Sequence, residues 1–444
     1  MTFARATLIA VFAGVATGSA SAQGTRARAS AQALTLRDVL DSTIAHHPLA
    51  EAAQARVRAA SGMRTTARSF GNPVLSYDVE NAPFPGGEPV SGMPRETMAT
   101  ATLPLASIVQ RFPRARRADA EVRAAGANAR AVRQQLALDA SRAFFRTALA
   151  QVSLAAARDL TAWLDSVVAY NRHRVEEGVA AEADLIRAEL ERDRAATDAT
   201  LQEADLARAR AELAGFVDPR VSSGADIVVA IDDVPLGMPA YSETPVRADV
   251  SRRPDVLAAR ERLAATGAAV TAERSMIVRD LGATFGTKWS AGTTSMIAGV
   301  SLPLPIFDPN RGEIARASAE RDAAAFELAA RERAASAELA GAYEAARLLT
   351  ERAALLAHGA DGRPPLLARA DEGRRIALGA YREGAVSLLQ VIDAARASTE
   401  ARVTFYQALY AQHASVAALV VARGDDILSE LPRLAPGTRA NPPR

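Results

Sequence analysis

The run Leu281-Gly282-Ala283-Thr284-Phe285-Gly286-Thr287-Lys288-Trp289 decides how this chain is read. Leu281, Ala283, Phe285, Thr287 and Trp289 fall on one face of an extended strand, and Gly282, Thr284, Gly286 and Lys288 on the other, the two-residue period of a sheet with one apolar side. Ser290 to Thr294 forms a turn, after which Met296, Ala298, Val300 and Leu302 alternate with Ile297, Gly299 and Ser301. An earlier pair has the same pattern: Leu75, Tyr77 and Val79 alternate with Ser76, Asp78 and Glu80, and Ala99, Ala101 and Leu103 with Thr100 and Thr102, joined by the Pro- and Gly-rich loop Asn81 to Pro94. Each run approaches the roughly nine to eleven residues that a tilted strand needs to cross a bilayer, with Phe285 and Trp289 suited to an interfacial girdle. Alternation by itself fits two soluble hairpins packed on helices equally well.

Around these strands the chain is helical and duplicated. Segments from about Arg114 to Phe216 and Arg311 to Arg423 are dominated by Ala, Glu, Arg and Leu, a coiled-coil composition. Leu136, Ala140, Phe144, Ala148 and Val152 recur at helical spacing and predict a buried stripe. His47-Pro48 recurs as Arg253-Pro254, Leu103-Pro104-Leu105 as Leu302-Pro303-Leu304, and Glu177-Gly178 as Glu383-Gly384, each about 200 residues later, far beyond solenoid periods. The expected organisation is a first repeat over 23–216 (strands about 73–80 and 97–104, helical hairpin about 112–216) and an equatorial connector over 217–246. A second repeat over 247–423 follows (strands about 280–289 and 295–304, helical hairpin about 311–423), then a tail over 424–444. Glycine at the two Glu-Gly steps lets the backbone reverse, so these are read as hairpin tips.

Composition removes several function classes. With 53 basic and 51 acidic residues the chain has no global field to draw nucleic acid. It has no cysteine, which excludes disulfides, thiolate nucleophiles, Cys-ligated zinc and a lipidated cysteine. Arg5, the apolar run Ala6 to Gly18 and Ala20-Ser21-Ala22 read as a secretory signal over 1–22, with mature protein from Gln23. No later stretch is apolar and long enough for a membrane helix, so strands must make any crossing. No phosphate-binding glycine loop, GxSxG elbow or HExxH pair is present, and His173, His358 and His413 are isolated, so neither an enzyme nor a cofactor or metal centre is expected.

Four membrane strands cannot close a barrel, and an open edge in lipid leaves unpaired backbone groups. A barrel must therefore be shared between chains, two giving about eight strands and three about twelve. A competing reading is a soluble periplasmic coiled-coil adaptor or scaffold, which a long hairpin after a signal peptide also fits.

The ordered motifs resemble the TolC outer-membrane factor family over essentially the whole mature chain. They include Leu34-Thr35-Leu36-Arg37-Asp38-Val39-Leu40 with His47-Pro48, then Gly71-Asn72-Pro73-Val74-Leu75 and Val79-Glu80-Asn81. In the second block they are Arg253-Pro254-Asp255-Val256, Val300 to Asp308, Asn310-Arg311-Gly312 and Tyr381-Arg382-Glu383-Gly384. The resemblance implies a mainly α fold with a membrane β-barrel: a duplicated β-hairpin plus long α-helical hairpin, assembled as a homotrimer. A trimeric 12-stranded barrel would sit in outer-membrane lipid and continue as an α-helical periplasmic tunnel. The implied partners are a periplasmic adaptor and an inner-membrane pump of RND type. Val79-Glu80-Asn81 and Leu304-Pro305-Ile306-Phe307-Asp308 look most like the heavy-metal efflux branch, while Ser107 to Arg114 departs from that branch's turn.

The resemblance also implies sites. Gly178-Val179-Ala180 and Gly384-Ala385-Val386 would contact the adaptor. Tyr381 matches a latch tyrosine and Asp184 its acceptor, Val386 stands at the position of a latch arginine, Gln390 replaces one pore aspartate and Asp393 keeps the other, which threefold repetition would make a carboxylate ring.

Overall fold

The computed structural model describes residues 33–88, 92–219, 227–230, 236–238, 250–277, 281–359 and 363–434. The expected signal segment 1–22 and start at Gln23 lie outside them, as do parts of the 217–246 connector and the end of the tail.

Helix α1 (Leu36–His46) begins at a reciprocal cap: the Thr35 amide donates to Asp38 Oδ2 at 2.9 Å and the Asp38 amide to Thr35 Oγ1 at 3.2 Å. Proline at the first position then starts α2 (Pro48–Arg68), which leads into β1 (Val74–Glu80) and β2 (Glu96–Pro104). From β2 the chain enters α3 (Ala106–Glu176), 71 residues or about 105 Å at 1.5 Å per residue. This helix starts ahead of the expected residue 112 and absorbs Pro113, so the departing segment Ser107 to Arg114 is helix rather than a turn. The return arm is α4 (Glu182–Ala214).

After the connector, α5 (Pro254–Ser275) leads into β3 (Gly282–Ser290) and β4 (Thr293–Ser301), then α6 (Arg311–His358), α7 (Leu366–Arg382), α8 (Leu388–Arg423) and α9 (Ile427–Leu434). Strand β4 stops at Ser301 because Pro303 and Pro305 have no N–H to donate to a ladder. The outgoing arm of the second hairpin, expected unbroken, is divided: Gly359 ends α6 at φ +77°, where a Cβ would lie 2.0 Å from the Arg363 carbonyl oxygen, and Pro365 caps α7. Of the tail, the described part forms α9, with Ile427 buried.

The four strands pair antiparallel in the order β1-β2-β3-β4. Helices α2, α3, α5 and α6 adjoin them in sequence and pack side by side, α3 between α2 and α5, and α6 beyond α5. Toward the tips α3 carries α4 on one flank and α8 on the other, with α7 against α8. The two X-Pro motifs mark where a return arm hands over to a proline-started helix. At the first, His47 stacks on Phe216 with ring centroids 5.8 Å apart, while the Thr43 hydroxyl donates to the Phe216 carbonyl at 3.0 Å. At the second, buried Arg253 donates to the Ala422 carbonyl at 3.3 Å, to Asp255 Oδ2 at 2.8 Å and to Glu338 Oε2 at 2.7 Å.

The main core lies at this level, built from α1, α3, α6, α8 and connector residues such as Ile227, Val229 and Leu236. The strand-like run Ile227-Val228-Val229-Ala230 makes one parallel bridge, Leu34 to Val229. Two glutamines hold the connector by its backbone, as a buried peptide group demands. Val229 N–H donates to Gln151 Oε1 at 2.9 Å and Gln151 Nε2 to Val229 O at 3.0 Å; Leu236 N–H donates to Gln412 Oε1 at 3.2 Å and Gln412 Nε2 to Leu236 O at 2.8 Å.

Candidate functional site

Two regions have functional geometry: the sheet and the two hairpin tips. Cross-strand register puts Tyr77 opposite Ala99, Ala101 opposite Phe285 and Phe285 opposite Ala298, so the apolar residues of all four strands share one face. That face is uncovered, with Leu75 and Met296 each 83% exposed and Val300 74%. The opposite face carries Ser76, Thr100, Thr102, Thr284 and Gly286, and near the turns Asp78, Glu80, Glu96 and Lys288. Lys288, the single lysine of the chain, pairs with Glu96, which also accepts from the Ser290 hydroxyl at 2.6 Å. Gly286 is required here: a Cβ would fall 2.2 Å from the Ala99 carbonyl oxygen, so only glycine permits this approach of β2 to β3. Strands β1 and β4 each have a single neighbour, leaving both edges of the sheet open. Among the described residues no helix is long and apolar enough to cross a membrane.

The tips share one local geometry. Gly178 has φ +74° and Gly384 φ +78°. Gly178 N–H donates to Val175 O and Val179 N–H to Arg174 O, both at 2.9 Å; Gly384 N–H donates to Tyr381 O at 3.0 Å and Ala385 N–H to Ala380 O at 2.8 Å. Both are Schellman closures, in which glycine takes the left-handed position. Val179, Ala385 and their neighbouring glycines are exposed, Ala180 and Val386 partly so.

The four residues expected at a gate have different surroundings. Tyr381 is buried, and its hydroxyl donates to Asn171 Oδ1 at 2.8 Å rather than to Asp184. Asp184 is exposed in the first turn of α4, where a carboxylate suits the helix dipole. Gln390 completes a capping box, its Oε1 accepting from the Ser387 amide at 2.9 Å. Asp393 is exposed on α8. Val386 is partly buried and packs on the apolar cluster of Leu164, Val168, Val391 and Ile392.

Sequence reading missed Asn171 and Arg174. The Arg174 guanidinium lies over the Tyr170 and Tyr381 rings at 5.6 and 5.9 Å. Asn171 was detectable as a polar residue interrupting the apolar positions Leu164, Val167 and Val168 at helical spacing. Among the described residues no group of three or more His, Cys, Asp or Glu is arranged to hold a metal ion.

Residues 249–425 match the family model for the outer membrane efflux protein. No curated protein sequence matches the chain. Among solved structures it is similar to the outer-membrane channel OprN (21% identity, 88% of this chain and 90% of that one, TM-score 0.71). It is also similar to the outer membrane protein VceC of Vibrio cholerae (18% identity, 88% and 96%, TM-score 0.69) and to the CmeC outer membrane channel of Campylobacter jejuni (14% identity, 88% and 85%, TM-score 0.70). Residues 249–425 thus match the outer membrane efflux protein model, and the chain has the fold of the outer-membrane channels to which it is similar.

Proposed function

We propose that this chain is the outer-membrane channel component of a tripartite efflux system, passing substrates from an inner-membrane pump, of RND type by resemblance, and a periplasmic adaptor to the exterior. Three copies of the four-stranded sheet close one barrel in outer-membrane lipid, and the long helices continue it as a periplasmic tunnel. The observation that supports this most is the sheet itself: a continuous exposed apolar face, a polar face behind it, and two unpaired edges. In lipid each unpaired backbone group costs several kcal/mol, so the edges must be met by further copies. A lone soluble scaffold would leave the same apolar face in water.

The tips Gly178 to Ala180 and Gly384 to Val386 are assigned to adaptor contact, and the tip region with Asp184, Tyr381, Gln390 and Asp393 to the periplasmic gate. Asp393 repeated by a threefold axis makes a carboxylate ring that favours cations. Metal cations are the cargo class to which Val79-Glu80-Asn81 and Leu304 to Asp308 point.

Extraction from membranes in mild detergent, with mass by light scattering, tests the assembly. A detergent-requiring species near three chain masses supports it, and a water-soluble monomer overturns it in favour of a periplasmic scaffold. Complementation of a metal-sensitive, channel-deficient strain tests cargo; failure with metal salts alongside rescue with organic toxins removes the metal assignment.

A further inference from the structure

We propose that lipid of the periplasmic leaflet reaches past the strands onto the first turns of α3, with Ile108 and Val109 among acyl chains, Phe112 at the interface and Arg116 among phospholipid headgroups. The proposal rests on the outer-membrane channel reading and deepens it by locating where the bilayer ends on the chain.

Strand length gives the first argument. Strands β3 and β4 have 9 residues each and β1 has 7. At about 3.4 Å per residue and a tilt of about 40°, they rise roughly 23 and 18 Å along a barrel axis, against an apolar band of about 25 Å. The sheet falls short by roughly 2 to 7 Å, on the order of one helical turn. At the outer end β3 and β4 are joined only through Ala291 and Gly292, so β3 gains little there and the difference falls to the helical end.

At that end every connection between sheet and helix carries an exposed large apolar residue: Phe70 before β1, Phe112 after β2, Ile277 before β3 and Phe307 after β4. Phe70 and Phe307 lie under the edge strands, where a further copy also comes. Ile108, Val109 and Phe112 do not, because β2 is an inner strand and α3 is flanked by α2 and α5 of its own chain. Their exposure is 50, 51 and 71%.

Helical geometry assigns these three residues to the lipid side. They form one stripe, and Arg114, Arg117 and Glu121 lie about half a turn away from it. Those charged residues, with Glu273 of α5, line a groove on the opposite face. The helical layer therefore has an apolar and a charged face, as the sheet does, and matching like to like sets the stripe in line with the apolar face of the strands. Backbone groups in lipid need internal partners, which α3 has from its first turn: the Ala106 N–H donates to the Leu281 carbonyl and the Ile108 N–H to the Leu105 carbonyl, both at 3.0 Å.

Charge completes the fit to a phospholipid. Beyond Phe112 the stripe continues to exposed Arg116, and Arg111 flanks it with its guanidinium 4.6 Å from the centre of the Phe70 ring. The first carboxylate of α3, Asp119, is held by Arg68 at 2.9 Å, which leaves cations to meet headgroup phosphates.

The chain has no cysteine, so single spin labels can be placed uniquely. Full-length Leu75→Cys, Ile108→Cys, Phe112→Cys, Arg116→Cys and Glu121→Cys would be reconstituted in vesicles of phosphatidylethanolamine and phosphatidylglycerol. Power saturation then compares collisions with oxygen, which concentrates in lipid, and with a water-soluble nickel chelate. Ile108→Cys should shift to the oxygen-favoured side together with the strand reference Leu75→Cys. The ratio should fall through Phe112→Cys to Arg116→Cys, with Glu121→Cys on the nickel-favoured side. Nickel-favoured values at both 108 and 112, or low access of both reagents there, would overturn the proposal while an oxygen-favoured Leu75→Cys keeps the membrane sheet. A nickel-favoured Leu75→Cys would overturn the membrane reading and the proposal together.

Discussion

The Tyr381 hydroxyl donates to Asn171 Oδ1 at 2.8 Å, joining residues more than two hundred positions apart on helices of different hairpins. Tyr381→Phe keeps the ring but strands the Asn171 amide oxygen in a buried site, at an expected cost of about 1.5 kcal/mol. Amide hydrogen exchange around 164–171 and 378–392 should accelerate, while exchange in the strands stays as in the parent. Equal protection in both proteins would mean that the bond contributes nothing to the tip.

Arg253 is the buried cation of the second junction, and it sets an acid dependence. Burial alone would raise the Asp255 carboxyl, but the hydrogen bonds and charge of Arg253, the Val256 N–H and the charge of Arg331 outweigh it and hold the group below its ordinary value. A depressed folded-state value means stabilisation that is present above the unfolded value of 3.8 and lost as pH falls through the folded one. Asp255→Asn should therefore lower the thermal midpoint near neutral pH and cost progressively less below about pH 4. Arg253→Ala leaves the carboxylates of Asp255 and Glu338 without their shared partner, for an expected loss of about 3 kcal/mol.

Two glycines on the polar face of the sheet make a matched pair. Gly286→Val drives a Cβ into the Ala99 carbonyl, whereas Gly299→Val meets nothing within 4 Å. The first should abolish the oligomer that the proposed shared barrel predicts on unheated gels, and the second should preserve it. Loss in both, or in neither, would contradict the close β2–β3 approach.

The tips differ at one capping position. Ser387 and Gln390 cap α8 reciprocally, but Ala181 at the corresponding place before α4 offers no side-chain bond. Ala181→Ser should stabilise the first tip by about 1 kcal/mol, and Ser387→Ala should destabilise the second by a similar amount. Opposite shifts in the susceptibility of the two turns to limited proteolysis would show it.

Much of this was legible in the residues. Strand alternation is a property of consecutive side chains, so the register of Leu75, Tyr77 and Val79 or of Phe285 and Trp289 follows from a period of two, whatever surrounds them. The tip turns were equally readable, because Glu-Gly closing a long helix has few conformational solutions. The division of the second outgoing arm was present in Pro364-Pro365 and Gly359 but was outweighed by the alanine-rich composition on either side.

Local pattern therefore determined the strands with their two faces, the long helices, the duplication and the turning points. Tertiary structure alone decided which partners close the polar accounts: that Tyr381 meets Asn171 and not Asp184, that Arg253 gathers Asp255, Glu338 and the end of α8, and that Gln151 and Gln412 grip the connector. Long-range hydrogen bonds depend on how two helices are rotated about their axes. That rotation comes from the packing of a whole interface, for which no single stretch of chain holds the information.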